Sequence, residues 1–403
     1  MPHIYHIPSW WPSQKNEING IFIYELIRSI ACQDKAYHHT VAVFNTTLRW
    51  ISLAHFFRDI QGLTMKDAAM GFGQDLNVDV FEIPRVIGVN PKTGINYIEK
   101  LVYRYLYHIK SLPRTPDLIH VHVSFPSIVL GYELSKQLGI PYILTEHSSR
   151  FPDDRFAQYG YHQQYLEAAF FHSGSTISVS KLLAGKFGYY RAATSDVIYN
   201  AIRWDRPILQ PVVEKSKPLF TFVWIGVMNT TRKRVDILLN AIRNLSMIRS
   251  DFNCILIGEG SNLASYKNLA SQLMIDSYVT WVEHGSSDVV QKTLKQSDCL
   301  VISSDYETFG ITAIEALSYG LPVLSTACGG VEEIINETCG RIVNKSDAQA
   351  LAQGMAWMMD NTKLFDPSAI QEYCYRNFNK ERIAKEYLNV YRNVLKMSEG
   401  GRV

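Results

Sequence analysis

Two glutamates, Glu307 and Glu315, stand eight positions apart where a short apolar run gives way to a helical pattern. The run Cys299–Ile302 predicts a buried strand, and the apolar spacing after Gly310 predicts a helix that starts there. Free amides at a helix start bind phosphate oxygens. A carboxylate accepts hydrogen bonds from vicinal sugar hydroxyls. The pair therefore favours a nucleotide-sugar site, and acids that only complement the helix dipole are the alternative.

Glycines surround the next predicted strand, Pro322–Ser325. Gly320 precedes this strand, and the pair Gly329-Gly330 follows it, directly before Val-Glu-Glu. Paired glycines allow the backbone to come close to a ligand. Taken alone, the pair would be an ordinary turn.

Three consecutive basic residues, Arg232, Lys233 and Arg234, follow the predicted strand Leu219–Ile225. Fixed cations in a site poor in water stabilise the charge that develops on a departing nucleoside diphosphate. A solvated basic turn is the alternative interpretation of the same residues.

The first half of the chain offers further candidates. His147 follows the predicted strand Pro141–Thr145, and Gly20 follows a polar loop and precedes a helix. A histidine that only packs and a glycine that only starts a helix are the structural alternatives. Trp10 and Trp11 are either a stacking platform for a sugar or part of the core.

The elements that position these residues alternate between short β-branched runs and amphipathic stretches, which predicts parallel sheets covered on both faces. We expect an α/β protein with two doubly wound, Rossmann-like domains that face an interdomain cleft. The predicted domains are 1–200 and 201–366, joined by a polar, proline-marked segment near 200–217. The tail, 367–403, predicts helices that pack back across the N-terminal domain. Residues 155–171 predict one helix, and Thr46–Asn77 an irregular insertion.

Composition narrows the classes of function. The 403 residues are 47% hydrophobic and 19% charged, with a net charge of +2, which gives no electrostatic reason to expect a nucleic-acid partner. The six cysteines form no CxxC pair, and no run of about 18 apolar residues occurs. With no signal-peptide pattern at the N-terminus, we expect a cytoplasmic protein.

The ordered pattern E-x-F-G-I-x-x-x-E-A-x-x-x-G-x-P-V, followed by G-G-x-x-E, resembles the retaining GT-B glycosyltransferases of family 4, the group 1 glycosyl transferases of bacterial surface-polysaccharide pathways. The resemblance extends to Tyr142–Ser148 (YILTEHS) in the first domain and to the linker Asn200-Ala-Ile, where Ala201 replaces a common glycine. It covers most of the chain.

The resemblance implies roles for particular residues. Glu307 would contact the hydroxyls of the donor sugar, and Glu315 the ribose. His147 would lie near the donor sugar, and Lys233 matches the family lysine beside the diphosphate. The other implied nucleotide-sugar-binding residues are Gly20, Arg232, Gly258, Phe309, Gly310, Ile311 and Thr312. The family arginine is replaced by Val227, and the sequence does not decide whether Arg232 or Arg234 supplies the missing charge.

The implied activity is transfer of a hexosyl group from a UDP- or GDP-sugar, with retention and without a divalent metal or other cofactor. A glycan or a lipid-linked acceptor fits the resemblance. A lipid-linked acceptor would place the protein at the inner membrane face, where the aromatic and basic segment Tyr97–Arg114 could make peripheral contact.

Two other classes of function fit the same frame: a sugar-nucleotide epimerase or glycosyl phosphorylase, and a non-catalytic subunit that binds nucleotide sugars. A dehydrogenase does not fit, because Gly258-Glu-Gly lacks the third glycine of the dinucleotide fingerprint and follows the second strand of its domain.

Overall fold

The computed structural model describes residues 1–12, 20–51, 76–86, 95–190, 194–207, 209, 219–283 and 285–400. The chain divides into two compact units. The first unit combines Met1–Ala201 with Lys380–Val403, and the second unit is Ile202–Asn379.

The first unit contains a parallel sheet of seven strands, in the order β3-β2-β1-β4-β5-β6-β7. The strands are β1 (His3–Pro8), β2 (His38–Ile51), β3 (Asn77–Val86), β4 (Leu118–His122), β5 (Tyr142–Glu146), β6 (Ser175–Ser178) and β7 (Asp196–Val197). The helices before the crossing to the second unit are α1 (Ile21–Gln33), α2 (Ile95–Ser111), α3 (Ser124–Leu138), α4 (Arg155–Gln158), α5 (Gln163–Phe171) and α6 (Lys181–Gly185).

The second unit contains a parallel sheet of six strands, in the order β10-β9-β8-β11-β12-β13. The strands are β8 (Phe220–Ile225), β9 (Phe252–Ile257), β10 (Val279–Val282), β11 (Cys299–Ile302), β12 (Val323–Thr326) and β13 (Gly340–Val343). The helices are α7 (Val235–Ser246), α8 (Leu263–Gln272), α9 (Ser287–Gln296), α10 (Ile311–Ser318), α11 (Ala348–Asp360) and α12 (Pro367–Phe378), and the last helix of the chain, α13 (Lys380–Gly400), belongs to the first unit.

Central strands such as β4, β5, β11 and β12 are buried along their whole length, as expected for parallel strands with helices on both faces. In the first unit one apolar core joins β1, β4, β5 and β6 to α1 and α13. It includes Ile4, Leu118, Ile143, Ile177, Leu26, Ile30, Tyr387, Leu388 and Tyr391. Helix α13 therefore completes a face of the first sheet.

Strand order in the second sheet positions the candidate residues. β11 pairs with β8 on one side and with β12 on the other. All three strands are parallel, so the loops that follow them leave from the same edge of the sheet. These loops carry Lys233, Glu307 and Gly329-Gly330.

The helical tail differs from the sequence-based expectation, because α12 lies in the second unit and only α13 lies in the first. The reason is the apolar side of α12, where Ile370, Cys374 and Phe378 are buried. The Cys374 thiol also donates to the carbonyl of Ile314 in α10. The domain boundaries near 200 and 379 thus place α12 with helix α10, against which it packs.

The predicted helix over 155–171 is wrong in one respect, because the structure has two helices, α4 and α5. They are separated by Tyr159–His162, where Gly160 takes a positive φ of 78°. The predicted insertion Thr46–Asn77 falls largely outside the described residues, although β2 continues to Ile51 and β3 begins at Asn77. Most of the predicted linker and of the polar loop before Gly20 also lie outside them.

Among the described helices, none combines the length and the apolar character that crossing a membrane requires.

Candidate functional site

Lys233 and Glu307 meet in the second unit. The Lys233 Nζ lies 2.7 Å from Glu307 Oε1, and the Ser304 hydroxyl donates to the same oxygen at 2.6 Å. The two charged side chains are 25% and 15% exposed, so the ion pair is partly shielded from water and still open to a ligand. The sequence places these residues 74 positions apart, and the fold brings them into one charged cluster.

The backbone of the Glu307 loop is fixed by the loop after β12. The Glu307 amide donates to the Cys328 carbonyl at 2.8 Å, and the Gly330 amide donates to the Glu307 carbonyl at 2.9 Å. The Thr326 hydroxyl also donates to the Ser304 carbonyl at 2.6 Å. The paired glycines therefore hold the loop that presents Glu307, which is a structural reason for the Gly329-Gly330 motif.

Helix α10 begins directly after this loop. Gly310 has a positive φ of 100°, and a Cβ at this position would lie 2.5 Å from a Val331 methyl carbon, so any other residue would be strained. Phe309 is buried and packs against Phe378, whereas Ile311 and Thr312 are half-buried. The start of α10 is thus a rigid turn whose first amides can hold a phosphate group.

The basic residues after β8 have different environments. The Arg234 guanidinium donates to Asp236 and to Asp305, which raises the pKa of Arg234 and fixes this turn. Arg232 is exposed, and its carbonyl accepts the Asp305 amide at 2.9 Å. Val227, which stands where the family has arginine, is 41% exposed.

Glu315 is buried inside α10 with 7% of its side chain exposed, and its Oε1 lies 3.4 Å from Arg203 Nε. Burial raises the pKa of Glu315, and the charge of Arg203 opposes that rise. The sequence analysis did not identify Arg203. Its only signal was an arginine immediately after the Asn200-Ala-Ile linker.

Gly258 follows β9 and packs against the loop after β8. A Cβ at Gly258 would lie 1.9 Å from the Gly226 carbonyl oxygen, so only glycine fits this contact between two backbones. The contact supports the loop that leads to Lys233, whatever further role Gly258 has toward a nucleotide.

His147 lies in the first unit, just after β5, and is buried. Its ring packs on Phe22 at 4.9 Å between centroids, and burial lowers its pKa to about 3, against a smaller opposing effect of Asn200. Glu146 fixes the loop, because its carboxylate accepts the amides of Ser124, His147 and Ser148 at 2.6–2.8 Å. His147 is therefore a neutral, firmly held imidazole near neutral pH.

Gly20 precedes α1 in the same unit, and its carbonyl accepts the Ile23 amide at 2.9 Å. Phe22 in the first turn of α1 also contacts Trp10, with ring centroids 6.2 Å apart. Phe22 thus joins Trp10 and His147 into one aromatic group. Trp11 is buried among α1 residues, which supports its structural interpretation.

A chain of buried histidines crosses the first sheet. His6 Nδ1 lies 3.2 Å from His122 Nε2, and His6 Nε2 lies 3.0 Å from His39 Nδ1. A neutral imidazole has one donor and one acceptor, so His6 donates in one bond and accepts in the other. This network was not predicted from the sequence, because buried parallel strands show no polar–apolar alternation.

Three histidines, His6, His120 and His122, place nitrogens within 4.8 Å of one another, an arrangement that could hold a metal ion. Both nitrogens of His120 already have partners, the Tyr391 and Thr145 hydroxyls at 2.8 Å. Burial lowers the pKa of all three rings well below the usual value. The network is therefore a neutral, largely hydrogen-bonded part of the core.

The sequence of the second unit matches a known family. The description of that family is "Glycosyl transferases group 1", and the match covers residues 205–374.

Two curated relatives extend this likeness. An uncharacterized glycosyltransferase of Methanocaldococcus jannaschii is 29% identical over 249 residues, which cover 62% of this chain and 67% of that protein. The N-acetyl-alpha-D-glucosaminyl L-malate synthase of Bacillus anthracis is 23% identical over 304 residues, which cover 71% and 77% of the two chains.

Among solved structures, the Anabaena protein HepE in complex with UDP and glucose is similar, with a TM-score of 0.71 and 16% identity. The alignment covers 97% of this chain and all of that one. This likeness and the two parallel Rossmann-like sheets show the GT-B fold that the sequence predicts.

Proposed function

We propose that the chain, whose residues 205–374 match the glycosyl transferases group 1 family, transfers a hexosyl group from a nucleoside-diphosphate sugar to an acceptor hydroxyl with retention and without a divalent metal. The acceptor in this proposal is a glycan or a lipid-linked saccharide. The observation that carries the proposal is the Lys233–Glu307 ion pair beside the start of α10. It combines a cation and a carboxylate with helix amides, the groups that a charged sugar donor requires.

In the proposed donor site, the diphosphate lies on the first amides of α10 and beside Lys233. Glu307 accepts hydrogen bonds from the sugar hydroxyls, and Glu315 from the ribose. When the bond to the anomeric carbon breaks, negative charge grows on the phosphate oxygen, and Lys233 and the helix amides stabilise that charge. The UDP and glucose in the HepE complex are a donor pair of this chemical class.

Retention follows if the acceptor hydroxyl attacks the same face from which the phosphate departs. The leaving phosphate then takes the hydroxyl proton, and no side chain becomes covalently bound to the sugar. Catalysis rests on positioning and on charge stabilisation. His147, held by the Glu146 loop in the first unit, is a neutral imidazole in this scheme.

The test begins with a thermal-shift screen of UDP, GDP and their common hexose conjugates. A ligand at 100 times its Kd stabilises the folded protein by about 2.7 kcal/mol, which is readily measured. Nucleotide release should then require an added acceptor and should persist in EDTA. Nucleotide release without an acceptor indicates a different reaction on the same two-domain fold. Tight nucleotide-sugar binding without any release indicates the non-catalytic subunit. Complete loss in EDTA, restored only by Mg²⁺ or Mn²⁺, contradicts metal independence.

The separate roles of the two glutamates give a sharper prediction. Glu307→Ala should weaken binding of the sugar-bearing donor much more than binding of the bare nucleoside diphosphate, because Glu307 contacts the sugar and affects the diphosphate only through its ion pair with Lys233. Glu315→Ala should weaken both ligands, because ribose is common to both. Calorimetric titration of each ligand checks this, with the exposed Glu337→Ala as the matched control. Equal weakening of both ligands by Glu307→Ala would show that the donor sugar does not lie at Glu307 as proposed.

We also propose peripheral contact with a membrane through α2. Lys100, Tyr103, Tyr107 and Lys110 are exposed and repeat at helical spacing on one side, with the tyrosines 61% and 63% exposed. Tyrosine and lysine side chains suit the interface of an anionic bilayer. Tyr103→Ser with Tyr107→Ser should reduce sedimentation with phosphatidylglycerol vesicles several-fold, whereas Tyr189→Ser, also at an exposed tyrosine, should not. Equal sedimentation of all variants contradicts the contact.

A further inference from the structure

Arg203 is held in place by the aromatic residue that follows it. Its guanidinium lies 4.7 Å from the centre of the Trp204 ring, a cation–π distance. The Trp204 indole donates to the Ser287 hydroxyl at 3.0 Å and packs edge-on against Tyr319. These contacts hold the Arg203 side chain in one position at the beginning of the second unit.

The contact between Arg203 and Glu315 leaves hydrogen-bonding capacity unused. The Nε–Oε1 distance of 3.4 Å makes an ion pair, yet Arg203 Nε is buried and has no hydrogen-bond partner. A buried donor without a partner costs about 1–3 kcal/mol. The pair is thus arranged for a third participant that supplies hydroxyl groups.

We propose that Arg203 is the positioning residue of the ribose site: it holds the Glu315 carboxylate charged and oriented to accept the vicinal hydroxyls of the nucleotide, and its Nε–H donates to one of the same hydroxyl oxygens. This inference rests on the proposed function, since it assigns a partner to the residue that contacts the ribose. The ligand chemistry is that of a ribonucleoside diphosphate.

The charge on Glu315 depends on Arg203. Among the described residues, burial raises the pKa of Glu315, and the charge of Arg203 is what opposes this rise. Nearby titratable groups include Tyr319, Cys374, Tyr375 and Cys299, whose pKa values burial raises, and the Arg206–Glu372 ion pair at 3.1 Å.

The test is the affinity for UDP and GDP as a function of pH. Arg203→Gln should raise the Kd at least tenfold at pH 6.5, and the ratio of variant to wild-type Kd should shrink toward pH 8.5 as Glu315 ionises without its partner. Phosphate itself titrates near pH 6. That titration cancels in the ratio, because both proteins meet the same ligand.

Two variants separate this role from a structural one. Arg206→Gln, which removes a nearby arginine with its own partner, should leave the ratio near one at every pH. In a Glu315→Gln background, Arg203→Gln should change the Kd by a factor that does not vary with pH. Arg203→Lys should recover much of the low-pH affinity. If Arg203→Gln melts below the assay temperature, the pH dependence is measured on Arg203→Lys instead.

The outcomes are distinct. Wild-type protein that binds neither UDP nor GDP overturns the proposed function and this inference with it. Wild-type binding, with an Arg203→Gln effect that is the same from pH 6.5 to 8.5, overturns this inference alone and leaves the proposed function standing.

Discussion

Replacing Lys233 by alanine should reduce turnover by about 10²–10³-fold, a rise of about 2.7–4 kcal/mol in the barrier, as for other fixed charges that stabilise a developing anion. In the unliganded protein Lys233 pairs with Glu307 at 2.7 Å, so the cation is already oriented. Its interaction with the phosphate strengthens as the leaving group gains charge. The loss should therefore fall mainly on kcat and only weakly on KM.

A matched control tests whether the effect depends on position. Lys292→Ala removes an exposed lysine from α9 in the same unit and should leave both kcat and KM unchanged. Lys233→Arg retains the charge but not the geometry and should give an intermediate rate. Unchanged turnover in Lys233→Ala, at an unchanged melting temperature, would remove Lys233 from the donor site. Arg232, which is exposed, would then be the next cation to test.

The sequence predicted the second unit well because its signals are local. Strand β11 ends where the apolar run ends, and α10 begins after Gly310, whose positive φ and contact with Val331 exclude other residues. The Glu307–Gly329-Gly330 motif then follows from hydrogen bonds between neighbouring loops. Local spacing is enough to predict these elements, whereas the roles of Lys233 and Glu307 toward a donor stay a prediction.

The parts that were not predicted depend on contacts between distant positions. The partnership of Arg203 with Glu315 joins positions in different elements, and no spacing rule connects them. The assignment of α12 to the second unit depends on its packing against α10, and an amphipathic pattern does not specify the partner of a helix. The histidine network could not be predicted for a related reason. A fully buried strand has no alternation of polar and apolar residues, so a histidine within it gives no signal in the sequence.

Because of these buried histidines, we expect the first unit to unfold in mild acid. Burial lowers the pKa of His39 to about 4 and of His147 to about 3, and it also lowers the pKa values of His6, His120 and His122 well below the usual value. Above pH 6.5 these rings are neutral in both the folded and the unfolded chain. Below pH 6.5 only the unfolded chain takes up protons, so stability is lost as the pH falls.

The expected magnitude is large. Each such histidine should reduce the free energy of unfolding by about 1 kcal/mol between pH 6.5 and 5.5, and by about 1.4 kcal/mol for each further pH unit above its folded pKa. Five of them together approach the whole stability of a typical domain, about 5–15 kcal/mol. Glu146 opposes the trend in part, because burial raises its pKa and its protonation on acidification favours the folded state.

The measurement is hydrogen exchange by mass spectrometry from pH 7.5 to 5.5, corrected for the intrinsic exchange rate, because it reports each unit separately. All histidines except His284 lie in the first unit, so protection should be lost there before it is lost in Ile202–Asn379. His6→Gln should reduce the number of protons taken up on unfolding by about one, even if it lowers stability. The substitution of an exposed histidine, His162→Gln, should not change that number. Parallel loss of protection in both units would mean that the buried rings are already protonated in the folded state. The hydrogen bonds that join His6 with His39 and His122 argue against that. If all three rings were protonated, each of these bonds would place two donors against each other, with no acceptor.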